Sequence, residues 1–121
     1  PHRRLILVFG VLGDKDYRPM ARRLFPLADR VILTRPHSER ALPPDSLRPL
    51  AEKFNRAIEV VEDPGNALRR ALSLAGKEDL VCAAGSLYLV GEIKRRHRMI
   101  RGGKTGSRVR EPGDRGGVER C

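Results

Sequence analysis

Apolar residues occur along this chain in short blocks with two different periods. Leu5-Ile6-Leu7-Val8-Phe9 is a continuous apolar run, the signature of a strand covered on both faces. A Gly-containing turn follows, and then a helix is predicted from about Tyr17 to Leu27, with Met20, Leu24 and Leu27 as its apolar stripe. Asp16 is placed to cap it, and Pro19 falls in the first turn, where its missing N–H has no helical partner. Arg30 to Thr34 reads as the second strand. A polar loop from Arg35 to Leu42 leads to Pro43-Pro44 and a second helix, roughly Asp45 to Asn55, burying Leu47, Leu50, Ala51 and Phe54.

Ile58 to Val61 is a short third strand. Asp63-Pro64 is a helix start, an N-cap acceptor followed by proline at the first helical position. That helix runs to about Ala75, with Ala67, Leu68, Ala71, Leu72 and Ala75 inward and Gly76 as its stop. Leu80 to Ala84 is the fourth strand, Gly85-Ser86 the turn, and a fourth helix spans about Leu87 to His97. Four strand–helix units of this length imply a mainly parallel sheet with helices packed on it, a three-layer α/β domain. Ligands in such sheets sit beyond the carboxyl ends of the strands. Four loops meet there: Gly10 to Asp16, Arg35 to Leu42, Glu62-Asp63 and Gly85-Ser86.

At 121 residues the chain is one domain. The formal charge of +10 is unevenly spread: ten Lys/Arg against three Asp/Glu from Ile93 onward, fifteen against twelve before it. The folded part is therefore only mildly basic. Met99 to Cys121 is Gly- and Arg-rich without apolar periodicity, and is expected to be a disordered tail. Residues 1–98 are expected to form the domain. The tail lacks the interleaved aromatics that base stacking uses, so nucleic acid is the lesser reading. The chain opens Pro1-His2-Arg3-Arg4 with no initiator Met or leader, which reads as the interior of a longer cytoplasmic protein. No apolar run approaches the roughly 20 residues of a membrane span. Two cysteines do not make a disulfide framework; Cys82 reads as a free, small core residue.

The candidate chemistry lies in two turns. Gly10-x-x-Gly13-Asp14-Lys15-Asp16 lacks the spacing of a phosphate loop and of a dinucleotide fingerprint. Lys15 at a strand-to-helix turn can still present an ammonium beside free helix N–H groups, and both favour an anion. Asp14 and Asp16 can orient it or meet a ligand ammonium. The plainer alternative is a helix cap with a surface ion pair. Ser86 opens the fourth helix as a natural cap, and its hydroxyl can also hold a carboxylate. As a nucleophile it lacks the G-x-S-x-G elbow, and loop residue His37 has no carboxylate partner fixed by sequence. Arg40, in the same loop, can pair with a carboxylate or phosphate, or both are plain surface residues. The three His and two Cys show no metal-ligand spacing.

Val8 to Asp16, Arg40-Ala41-Leu42, Asp63-Pro64 with Ala67, and Gly85-Ser86-Leu87-Tyr88-Leu89-Val90-Gly91-Glu92 together resemble the C-terminal domain of the folylpolyglutamate synthase/dihydrofolate synthase family, within the Mur ligase superfamily. The resemblance covers roughly Leu5 to Arg96. It implies a Rossmann-like domain that closes over a central ATPase domain and helps bind the incoming glutamate in ATP-dependent amide formation through an acyl phosphate. It also implies that Lys15 and Ser86 bind that glutamate, with Asp14 and Asp16 in support; Arg40 matches the family pattern without an assigned role, and Arg40 and His37 are expected in the glutamate site from their loop on the same edge. ATP and Mg2+, and the folate, dihydropteroate or their polyglutamates, would be held mainly by the absent N-terminal part. The chain alone is then expected to be inactive. Two other readings stay open: a non-catalytic module binding a polyanion through its tail, and a Mur ligase domain acting on a cell-wall precursor.

Overall fold

In the computed structural model, residues 3–14, 16–86, 89–91 and 93–95 are described in full, and 108–109 and 119–120 by their backbone pairing. The chain runs β1 (Leu5–Gly10), α1 (Arg18–Leu24), β2 (Arg30–Leu33), α2 (Arg48–Glu52), β3 (Ile58–Val60), α3 (Pro64–Leu74) and β4 (Leu80–Gly85), with residues 89–91 and 93–95 helical after it. The four strands are parallel, in the order β3-β2-β1-β4. Two two-residue strands, β5 (Arg108–Val109) and β6 (Glu119–Arg120), also pair in parallel with β4. Apart from those four residues, the expectation of a disordered tail falls outside the described residues.

Alternation along β1 explains the three layers. Ile6 and Val8 point to one face, where Leu68, Ala71, Leu89 and Ile93 close over them. Leu7 and Phe9 point to the other, against Ala21, Phe25, Leu47 and Ala51. All are essentially inaccessible to solvent, and each large aliphatic or aromatic side chain so buried contributes about 1.5–3 kcal/mol. Cys82 is likewise fully buried, although it is not the free thiol expected.

Two helices differ from the expected ones because of proline. Pro26 lacks the N–H that would continue α1, so the chain tightens into a 3-10 turn over Phe25–Leu27. Phe25 then meets Phe9 edge-on, ring centroids 4.9 Å apart. Ala21, Phe25 and Ala28 face inward, Leu24 is half-buried against the same cluster, and Met20 and Leu27 are exposed, so the stripe expected on Met20, Leu24 and Leu27 is displaced by one position. The second helix is a 3-10 turn, Pro44–Leu47, followed by only five α-helical residues. By contrast, α3 starts as expected: the Asp63 carboxylate accepts the Asn66 N–H at 3.0 Å.

The amino edge of the sheet is tied by one carboxylate. Asp79, 7% exposed, accepts the Arg4 backbone N–H at 3.0 Å, the Arg4 Nε and Nη2 at 3.0 and 2.8 Å, and the Gly76 N–H at 2.8 Å. Arg4 Nη2 also donates to the Leu74 carbonyl at 2.7 Å, closing the end of α3 with a cation. Asp79 thus joins the starts of β1 and β4 to the end of α3, remote from the carboxyl edge.

Candidate functional site

The strand order places the site. From β1 the chain winds through β2 to β3 on one side, then returns to lay β4 on the other side of β1. The reversal falls between β1 and β4, whose carboxyl ends are the usual ligand position in open α/β sheets. Gly10 and Gly85 are register partners at that point. Gly85 has φ of +121°, and a Cβ on it would fall 2.0 Å from the Gly10 carbonyl oxygen. Only glycine permits this approach. Gly10 serves close packing rather than a turn: a Cβ there would meet the Thr34 carbonyl oxygen at 2.7 Å. The two candidate turns therefore leave neighbouring strands side by side.

Beyond β1, Val11 and Leu12 are buried and Asp14 is exposed. Lys15 lies outside the described residues. The cap expected of Asp16 is not formed: Tyr17 occupies that position of α1, without a side-chain cap. Asp16 Oδ1 instead accepts the Arg18 N–H at 3.3 Å and Arg18 Nε at 3.2 Å, and these bonds lower its pKa. Beyond β4, Ser86 Oγ accepts the Leu89 N–H at 3.1 Å, the capping bond expected of it, which leaves the hydroxyl proton able to donate.

The loop after β2 supplies the remaining candidates. Arg40 Nη1 donates to Asp14 Oδ2 at 2.7 Å. His37 Nε2 lies 3.3 Å from Asp63 Oδ1, so His37 has the carboxylate neighbour that sequence spacing does not supply. Asp63 is legible in the sequence only as the α3 cap; adjacency of β2 and β3 is what brings the two loops together. Arg35 and Glu62 form a similar pair at 2.8 Å, and the buried Thr34 hydroxyl donates to the Glu62 carbonyl at 3.0 Å. The structure thus brings Asp14 and Arg40 together and His37 to Asp63. Among the described residues no group of three His, Cys, Asp or Glu is placed to hold a metal ion, and no helix is long and apolar enough to cross a membrane.

These features define a parallel α/β domain with polar and charged residues gathered at the reversal of its strand order. Residues 1–87 match the family described as Mur ligase, glutamate ligase domain, and the chain belongs to that family. A probable bifunctional folylpolyglutamate synthase/dihydropteroate synthase of Halobacterium salinarum is 36% identical over 94 residues, covering 77% of this chain and 11% of that protein. A UDP-N-acetylmuramoyl-L-alanyl-D-glutamate–2,6-diaminopimelate ligase of Alkalilimnicola ehrlichii is 41% identical over 85 residues, covering 65% of this chain and 17% of its own. A Mycobacterium tuberculosis folylpolyglutamate synthase, solved with ADP and AMPPCP, superposes with a TM-score of 0.68 at 26% identity, covering 87% of this chain and 25% of that one. The chain thus spans a quarter or less of the length of each of these proteins.

Proposed function

We propose that this chain is the C-terminal domain of an ATP-dependent folate–glutamate ligase and that it holds the incoming glutamate. The observation that carries this reading is the convergence of the Gly10 and Gly85 strand ends at the switch point, with a charged turn on one side and the Ser86 cap on the other. Glutamate brings carboxylates and an ammonium. Lys15 and the Ser86 hydroxyl suit the carboxylates, and Asp14 and Asp16 suit the ammonium, with Arg40 and His37 completing the rim. The domain extends to about residue 98.

In the complete enzyme, a folate or pteroate carboxylate would take the γ-phosphoryl group of ATP. The glutamate amine would attack the resulting acyl phosphate, forming the amide and releasing phosphate. This domain's share is to orient that amine. ATP and Mg2+ would be held mainly by the longer part that the relatives possess. A cell-wall precursor ligase is the second reading, favoured by the 41% identity to the diaminopimelate-adding relative; its acceptor is also a zwitterionic amino acid.

Lys15→Ala in the complete ligase should raise the glutamate KM by about tenfold, the loss of one charge-assisted contact, with the ATP KM nearly unchanged. Unaltered glutamate dependence would remove Lys15 from the site. The purified chain alone should turn over no ATP, as a phosphate-release assay can check.

A further inference from the structure

The Gly10–Asp16 turn is held from one side by the loop after β2. The Gly13 N–H donates to the Arg40 carbonyl at 2.8 Å, and the Leu42 N–H donates to the Val11 carbonyl at 3.0 Å. Leu12 and Ala41 form an antiparallel bridge between them. Arg40 then adds its side chain, Nη1 to Asp14 Oδ2 at 2.7 Å. Backbone and side chain of one residue therefore grip two consecutive residues of the turn, Gly13 and Asp14. A guanidinium committed in this way acts on the turn.

We infer that Arg40 is a positioning residue: it works through Asp14 as a latch that sets the acid-binding turn against the loop after β2. The inference rests on the glutamate-binding reading but makes a separate claim about which residue does the binding. A latch between half-exposed charges is worth up to about 1 kcal/mol, which corresponds to about fivefold in affinity.

The test uses the 15N-labelled chain with L-glutamate as the probe, comparing wild type with Arg40→Ala, Arg40→Lys, Asp14→Ala and the exchanged pair Arg40→Asp/Asp14→Arg. Amide exchange at Gly13 and Leu42 reports the latch, and the glutamate titration reports its consequence. Arg40→Ala and Asp14→Ala should each speed exchange at Gly13 and weaken glutamate binding about fivefold. The exchanged pair should restore the slow exchange at Gly13, and Arg40→Lys should lie between on both readouts. Arg35→Ala, which breaks the ion pair to Glu62 in the same loop, should change neither. Failure of the exchanged pair to recover, or unchanged glutamate affinity in Arg40→Ala, overturns the latch. Were wild type to show no glutamate response, the binding reading would fall by itself. The latch would then be judged on exchange alone, upheld by faster Gly13 exchange recovered in the exchanged pair and overturned by its absence.

Discussion

Gly85→Ala is expected to destabilise the domain by about 3 kcal/mol or more, the combined cost of a left-handed φ and a steric clash. The residue has φ of +121°, and the added Cβ would lie 2.0 Å from the Gly10 carbonyl oxygen. A side chain cannot satisfy both without parting the ends of β1 and β4. For a domain of this size the loss corresponds to a melting temperature lowered by roughly 10 °C or more. Gly76→Ala is the matched control. Its Cβ would meet only Asp79 Oδ2, at an ordinary 3.5 Å and without positive φ, so its stability should stay within about 0.5 kcal/mol of wild type. Thermal unfolding of the two variants side by side separates the claims; a Gly85→Ala protein as stable as Gly76→Ala would mean that the two strand ends do not meet as described.

The second large effect belongs to the opposite edge. Asp79→Ala removes the acceptor of the Arg4 and Gly76 N–H groups and of the Arg4 guanidinium. Hydrogen bonds to a charged group contribute about 1.5–3 kcal/mol each, so a loss of about 3 kcal/mol at neutral pH is expected. The Gly76 N–H first, and then the Arg4 guanidinium, lower the Asp79 pKa from 3.8 to about 2. A carboxylate with a lowered folded pKa stabilises fully above its unfolded value and loses that contribution as pH falls through its folded one. The gap between wild type and Asp79→Ala should therefore be constant from neutrality to about pH 5 and narrow towards pH 2. Denaturant melts across that range check it; a gap independent of pH would mean that the carboxylate is not bonded this way in the folded chain.

Much of the fold was legible because the signals were local. Leu5 to Phe9 and Leu80 to Ala84 are apolar runs bounded by glycine, and Asp63-Pro64 carries its own cap, so β1, β4 and α3 emerge close to their expected bounds. The rotation of α1 was not legible, since Met20-Leu24-Leu27 and Ala21-Phe25-Ala28 are both helical stripes. The Phe9–Phe25 contact chooses between them, and that contact is tertiary. The site divides in the same way. The alternation of strands and helices nominates four loops, but not the strand order. Only with β4 beside β1 do Gly10 and Gly85 meet, and only with β2 beside β3 does His37 find Asp63. Arg40 reads as a ligand group when taken alone; its partner lies 26 residues away.

The most direct measurement is a titration of the 15N-labelled chain with L-glutamate, followed amide by amide. Saturable shifts gathered at Gly10 to Asp16 and Gly85 to Val90, and reduced in Ser86→Ala, are expected of an acid held between β1 and β4. Saturable shifts centred instead on Arg4, Asp29 and Asp79, or no shift at any rim amide, would contradict it.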